Sequence, residues 1–292
     1  MFKIFTDTSA NLDTSLTKEM DIGVVPMTFF IDGCPNECLD TETFDHEDYY
    51  QKMREGLRPT TSLVAPQRYI DHFEPVLKNG QDILHVAMSS VISGSYASAL
   101  AAKTHLLIKY PERSIRLIDT LGASLGEGLL VLKAVEYRDK NMSLDETANA
   151  LNGLKANMYQ IFTVDDLNFL KSTGRLSAIK AAMGTILNMK PILKGDKNGK
   201  IVCTSTVRGR IRALKSIAED YNKKALLPEA QTVGIAHAGC LKDAELLASY
   251  IKKDRPPAKI MTVNYEPVTG SHVGPGTLAL FFFGDDGIRE GI

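Results

Sequence analysis

Short apolar runs alternate with helix-like periodicity along most of the chain, and this alternation restricts the fold more than any other feature. FKIFTD (2–7), IGVVPMTFFI (22–31), DILHVAMS (82–89) and SIRLIDT (114–120) read as strands. Helical spacing fills 95–110 and 126–140, and Ser143 with Glu146 has the capping-box spacing that opens a further helix. Strands separated by helices favour parallel sheets covered on their faces, so the pattern predicts an α/β fold.

The pattern changes near Tyr159. DDLNFLKSTGRLS predicts a helix from Asp165 to Gly174, followed by another through Leu187. PILKGDKNGKIVCTSTV predicts a hairpin around Lys197-Asn198-Gly199, with Asn-Gly supplying positive φ angles. A basic helix (RGRIRALKSIAEDYNKK), TVGIAHAG, a helix from Leu241, KIMTVNY and TLALFFFG complete a second, mixed unit. A chain of 292 residues suits two domains. The expected division is 1–158, an N-terminal parallel-sheet domain carrying hydroxyl-rich loops, and 159–292, a mixed α/β domain.

A formal net charge of −1 offers no broad attraction for nucleic acid or an anionic membrane. No run approaches the roughly 18 apolar residues that span a bilayer, so stable membrane insertion is not expected. The opening MFKIFTDTSANL meets Thr6 and Asp7 too early for a secretory signal. Cys34 and Cys38 have a C-x-x-x-C spacing that is neither the redox C-x-x-C nor half of a zinc site. With Cys203 and Cys240 they read as reduced thiols of a cytoplasmic protein, with no metal expected.

Three hydroxyl-rich segments stand at strand ends: TDTSANL (6–12), PTTSLVAP (59–66) and MSSVISGSYASA (88–99). In the third, Ser93-Gly94-Ser95 opens a helix, where unpaired N–H groups and a partial positive charge suit a carboxylate or phosphate. Ser93 serves equally well as a cap for its own helix. Thr60, Thr61 and Ser62 between two prolines also suit a stabilised turn. In DTLGASLGEG the glycines match no phosphate loop, and close packing accounts for them. His272 stands in GSHVGPG before a buried run; a packed ring, a headgroup donor and a catalytic base all fit that place. His237 in GIAHAG sits similarly at a strand end. Arg175 in GRLS, and Arg208, Arg210 and Arg212 in VRGRIR, form basic turns; three arginines at a helix start oppose the macrodipole and suit an acidic partner or phosphate.

Taken in order, TDTSANL, TTSLVAP, SSVISGSYASA, DTLGASLGEG, DDLNFLKSTGRLS and GSHVGPGTLALFFFG resemble the DegV family of fatty-acid-binding proteins over nearly the whole chain. The resemblance implies two α/β domains enclosing one long-chain fatty acid (palmitate-, stearate- or oleate-like) and no other cofactor. It implies that Thr61 and Ser93 hold the carboxylate, with Ser62, Gly94 and His272 beside it. Arg175 would lie near the pocket or a partner face; Arg208 and Arg210 are expected as partner or pocket residues from their clustering at a helix start rather than from the resemblance. Bacterial members present the carboxylate to a separate ATP-dependent kinase subunit, which makes acyl phosphate for phospholipid synthesis. The resemblance therefore implies a lipid-binding carrier without a catalytic residue of its own. DTSANL and GSHVGPG depart from the more usual DSTADL and GTHTGPG, but keep small hydroxyls beside Asp7 and His272. Burying about 14 methylenes gives on the order of 11 kcal/mol before ordering costs, enough for tight binding without a strong headgroup contact.

Two other classes fit the same residues. Ser93 or Ser95 with His272 and Asp7 or Asp119 would make a serine acyl hydrolase, although ISGSY lacks the G-x-S-x-G elbow. A phosphotransfer subunit would carry its phosphate on His272 or His237.

Overall fold

The computed structural model describes residues 2–176 and 188–292, so the helix expected through Leu187 lies outside the described residues. The fold is α/β in two compact units, Met1–Phe44 with Pro59–Lys155, and Asp45–Arg58 with Ala156–Ile292.

The first unit contains β1 (Lys3–Asp7), β2 (Ile22–Val25), β3 (Thr28–Ile31), β4 (Cys34–Glu37), β5 (Thr60–Ser62), β6 (Ile83–Ala87) and β7 (Ile115–Asp119). Four of them form a parallel sheet in the order β2-β1-β6-β7. Every residue of β6 is buried, as expected for a strand covered on both faces. Phe5 on β1 meets Phe73 of the helix Pro66–Lys78 at a ring separation of 4.9 Å. His85 on β6 packs against Tyr69 and Phe73 at 5.2 and 5.5 Å, so it is a core ring.

The stretch 22–31 is two strands in different sheets rather than one. Pro26 stands between them, has no N–H to continue the ladder, and lets the chain leave the parallel sheet. Beyond it the chain builds a small antiparallel sheet ordered β4-β3-β5, in which Phe29 pairs with Thr61 and Thr28 with Ser62. The expected capping box is present: Ser143 and Glu146 satisfy each other's backbone N–H at the start of the helix Leu144–Leu154. All four cysteines are free thiols.

The second unit contains β8 (Met158–Thr163), β9 (Met189–Gly195), β10 (Ile201–Arg208), β11 (Thr232–His237), β12 (Lys259–Asn264) and β13 (Leu278–Phe283). They form one mixed sheet, β10-β9-β8-β13-β11-β12, antiparallel except at β11–β12. The apolar run LALFFF is buried throughout as β13, and Phe282 stacks near Tyr159 and Tyr221 at 5.1 and 5.2 Å. The helices Arg210–Lys224 and Leu241–Asp254 bury Leu214, Ile217, Leu247 and Ile251 in the same core.

Residues 45–58, which the sequence pattern assigns to the N-terminal domain, belong to this second unit. The reason is visible in the helix His46–Arg54. Tyr49 and Tyr50 are buried, and their hydroxyls donate to the carbonyls of Pro267 (3.0 Å) and Tyr265 (2.6 Å). Arg54 donates to Gly239 O at 2.7 Å. The hairpin turn also differs in detail: only Gly199 has positive φ (+81°), while the Asp196 carboxylate accepts the N–H groups of Asn198 and Lys200. The helix expected over 165–174 is shorter, Asn168–Ser172, because Asp166 accepts from the Asn168 N–H at 2.8 Å and starts it late. No helix among the described residues is long and apolar enough to cross a membrane.

Candidate functional site

Two of the hydroxyl-rich segments meet in the first unit. The helix Ser95–Lys109 begins at Gly94, whose backbone is already helical and whose missing side chain leaves the first turn without a conventional cap. Ser93 supplies one instead: its Oγ accepts the Ser95 N–H at 3.2 Å and lies 2.9 Å from Ser95 Oγ. Ser95 Oγ in turn accepts the Val64 N–H at 3.1 Å, joining the end of the TTS strand to the ISG loop. A Cβ on Gly94 would stand 3.1 Å from Leu63 Cδ2, so glycine permits this approach. Thr61 is half-buried in β5, Ser62 is exposed, and Ser93 is half-buried while Ser95 is buried. Thr61 and Ser62 on β5 and Ser93 and Gly94 on the loop before the helix thus lie on adjoining segments, and Ser95 is the tie between them.

TDTSANL is placed differently from a ligand loop. Asp7 accepts from the Ser9 N–H at 2.9 Å and from its hydroxyl, and Ser9 Oγ also lies 2.6 Å from Glu127 Oε2. Thr6 Oγ1 donates to the other oxygen of Glu127 at 2.8 Å. Asp7 and Glu127 are fully sequestered, at 1% and 0% exposure. Burial, followed by the Asp7 charge, pushes Glu127 well above the usual carboxylate range; burial also raises Asp7. The single Ser9 proton cannot satisfy both carboxylates. A protonated Glu127 donating to Ser9, with Ser9 donating to Asp7, closes the network. Sequence reasoning missed Glu127; its signal is one acid inside the apolar spacing of LGEGLLVL. Gly128 is required beside it, since a Cβ there would lie 2.4 Å from Ala10 O.

Asp119 is a loop organiser, accepting the N–H groups of Ser90 (3.2 Å) and Leu121 (3.1 Å). Within the first unit, the hydroxyls of Ser93 and Ser95 bond to each other and to backbone, and the core ring His85 does not activate them. A serine nucleophile needs an adjacent base.

In the second unit, His272 lies in the last turn of a seven-residue helix, Pro267–Val273, rather than in an open turn. Glu266 caps that helix by accepting from the Val268 (2.6 Å) and Thr269 (2.5 Å) N–H groups. Gly274 ends it at φ +80°, ψ 164°, a conformation essentially reserved for glycine. A Cβ there would come within 2.4 Å of the Phe169 ring. Burial first, then the charge of Arg175, lowers the His272 imidazole to about 4. His272 is therefore neutral near pH 7, so any bond it donates comes from a neutral ring N–H. Arg175, half-buried and held by the Thr173 carbonyl, is the charge nearest in effect to His272.

The other basic positions diverge. Arg208 is exposed at the end of β10. Arg210 is engaged inside the unit by Asp243 at 2.8 Å and Asp165 at 3.8 Å. His237 is 4% exposed at the end of β11, where its Nδ1 accepts the Cys240 N–H at 3.4 Å. It lines an open cleft of about 950 Å³ with Arg54, Asp243 and Asn264, and burial lowers it to about 4. No group of three His, Cys, Asp or Glu side chains among the described residues is arranged to hold a metal.

These features define a two-unit α/β protein whose first unit gathers hydroxyls at a helix start and whose second carries a neutral histidine beside an arginine. The family model described as "Uncharacterised protein, DegV family" matches residues 1–285. A DegV domain-containing protein of Clostridium perfringens is 39% identical over 291 residues, covering 97% of this chain and 98% of the relative. Among solved structures, a DegV family protein from Thermus thermophilus, described for its fatty-acid binding, is similar at TM-score 0.87 and 27% identity, covering 97% of this chain and 99% of that one. A fatty-acid-binding DegV family protein from Streptococcus agalactiae is similar at TM-score 0.84 and 26% identity, over 98% and 99% of the two chains. The chain belongs to the DegV family.

Proposed function

We propose that this protein binds a long-chain fatty acid and holds its carboxylate at the hydroxyl cluster of Thr61 and Ser93, with Ser62 and Gly94 beside it and His272 as a neutral donor. The observation that carries this reading is the hydrogen-bonded junction of the TTS and ISG loops through Ser95. It concentrates hydroxyl donors at the start of a 15-residue helix, where the partial positive charge favours an anion. The fatty-acid-binding relatives from Thermus thermophilus and Streptococcus agalactiae support the same ligand class.

The chain itself acts as carrier and presenter in this reading. Its sequence has no G-x-x-x-x-G-K-[ST] loop to cradle ATP phosphates. A separate ATP-dependent kinase subunit would supply nucleotide and Mg²⁺ and transfer the phosphoryl group to the presented carboxylate. The exposed Arg208 is the proposed contact for that partner, with Arg175 nearer the headgroup; Arg210 is occupied by Asp243 and Asp165.

Titration of delipidated protein with oleate tests the reading. Wild type should bind at micromolar affinity or better, and Ser93→Ala or Thr61→Val should each weaken binding roughly tenfold while the melting temperature holds. Unchanged affinity in both variants would remove the headgroup assignment. Addition of the kinase subunit with Mg-ATP should yield acyl phosphate, and Arg208→Glu should lower that yield without altering oleate affinity.

A further inference from the structure

We infer that Ser95 is a positioning residue that fixes the Ser93 hydroxyl as a hydrogen-bond donor toward the bound carboxylate. The inference rests on the proposed headgroup reading, and it concerns the direction of protons rather than the position of oxygen atoms. Ser95 is 1% exposed, so it cannot reach solvent or ligand for an alternative partner. Its Oγ already accepts the Val64 N–H at 3.1 Å. A hydroxyl has one proton to give, and Ser93 Oγ lies 2.9 Å away to receive it. The Tyr69 phenol stands beside Ser95 and brings its own proton, so as a donor to Ser95 it leaves the Ser95 proton for Ser93.

The same accounting applied to Ser93 gives the consequence. Its Oγ accepts the backbone N–H of Ser95 at 3.2 Å as well as the Ser95 hydroxyl proton. Both acceptor positions are then filled from inside the protein, and the one group Ser93 has left is its own O–H. That proton is directed away from Ser95. A carboxylate, which only accepts, finds a donor already turned outward; a fatty alcohol or ester gains much less, because a charge-assisted bond is about twice as strong as a neutral one. Val64 therefore acts on the headgroup through two hydroxyls, and the short S-G-S spacing is what allows one turn of chain to hold both.

A double-mutant cycle with two ligands tests this. Oleate and oleyl alcohol are titrated into delipidated wild type, Ser95→Ala, Ser93→Ala and the double variant. Wild type should prefer oleate. Ser95→Ala should lose roughly tenfold in oleate affinity with the alcohol unchanged, and in the Ser93→Ala background it should add no further loss. Equal weakening of both ligands, or the same loss with Ser93 absent, would show a packing role and overturn the inference. A wild type without acid preference would instead overturn the headgroup reading and this inference with it. Should Ser95→Ala unfold, Ser95→Cys keeps the small side chain with a weaker donor. It should show an oleate preference below wild type, and a wild-type preference would again overturn the inference.

Discussion

At the scale of single residues, burial sets where two protons sit, at Glu127 and at His272. Glu127 is held above its usual value by burial and by Asp7, so the native state keeps a proton that the unfolded chain loses above about 4.5. Raising the pH from there through the folded-state value removes stability, because the native state binds the extra proton. Glu127→Gln keeps a donor for Ser9 and an acceptor for Thr6. Its urea midpoint should exceed that of wild type at about pH 8 and vary less between about pH 5 and pH 9. A variant less stable at alkaline pH would contradict the shared-proton network. His272 has a pH dependence of its own, read in ligand binding rather than in stability. Unliganded, it titrates at about 4. A carboxylate placed beside it raises that value, so binding takes up a proton and oleate affinity should rise as pH falls toward about 5. Isothermal titration in two buffers of different ionisation enthalpy reads this directly, and His272→Gln should abolish the difference.

Individual elements show what local pattern could and could not reveal. The strands of the parallel sheet, the Ser143–Glu146 capping box and the buried run at 278–283 follow from periodicity, because both their neighbours and their burial repeat at short spacing. The sheet change at Pro26 and the docking of 46–54 depend on partners far along the chain. HEDYYQKMR reads as a polar helix, and its two tyrosines find their carbonyls more than 200 positions away. Tyr50→Phe should cost about 1 kcal/mol in chemical denaturation by leaving the Tyr265 carbonyl unpaired, and a neutral result would mean that water replaces the phenol. GSHVGPG illustrates the same limit. Its glycines were legible as a turn, but not that Gly274 ends a helix against the Phe169 ring. Gly274→Ala should lower stability by about 1–3 kcal/mol through the φ of +80° alone, and displace Phe169 as well. The change is readable as a lowered melting temperature.

Over the whole molecule, three imidazoles (His85, His237 and His272) are each lowered to about 4 by burial. Their native forms are neutral, while the unfolded chain takes up protons below about 6.5, so stability falls as pH drops from about 6.5 toward 4. For His85, 0% exposed, the full shift amounts to about 3 kcal/mol. His85→Phe, packing against Tyr69 and Phe73, should flatten that acid dependence; an unchanged pH profile would show that His85 is not its source. The α/β class and both hydroxyl loops were readable from sequence because they are local. The Ser95 junction, the Asp7–Glu127 pair and the composition of the second unit were not, since each joins segments separated by tens of residues or more. Thr61, Ser93 and His272 were singled out as chemistry-bearing types, but the proposal that they act together came from family resemblance rather than from spacing.

Native mass spectrometry of the protein purified from a bacterial host, with identification of any released lipid, tests the central claim most directly. The account predicts one long-chain fatty acid per chain, released on denaturation and rebound by the delipidated protein. A stable, folded protein that carries no fatty acid and takes none up on titration would contradict it.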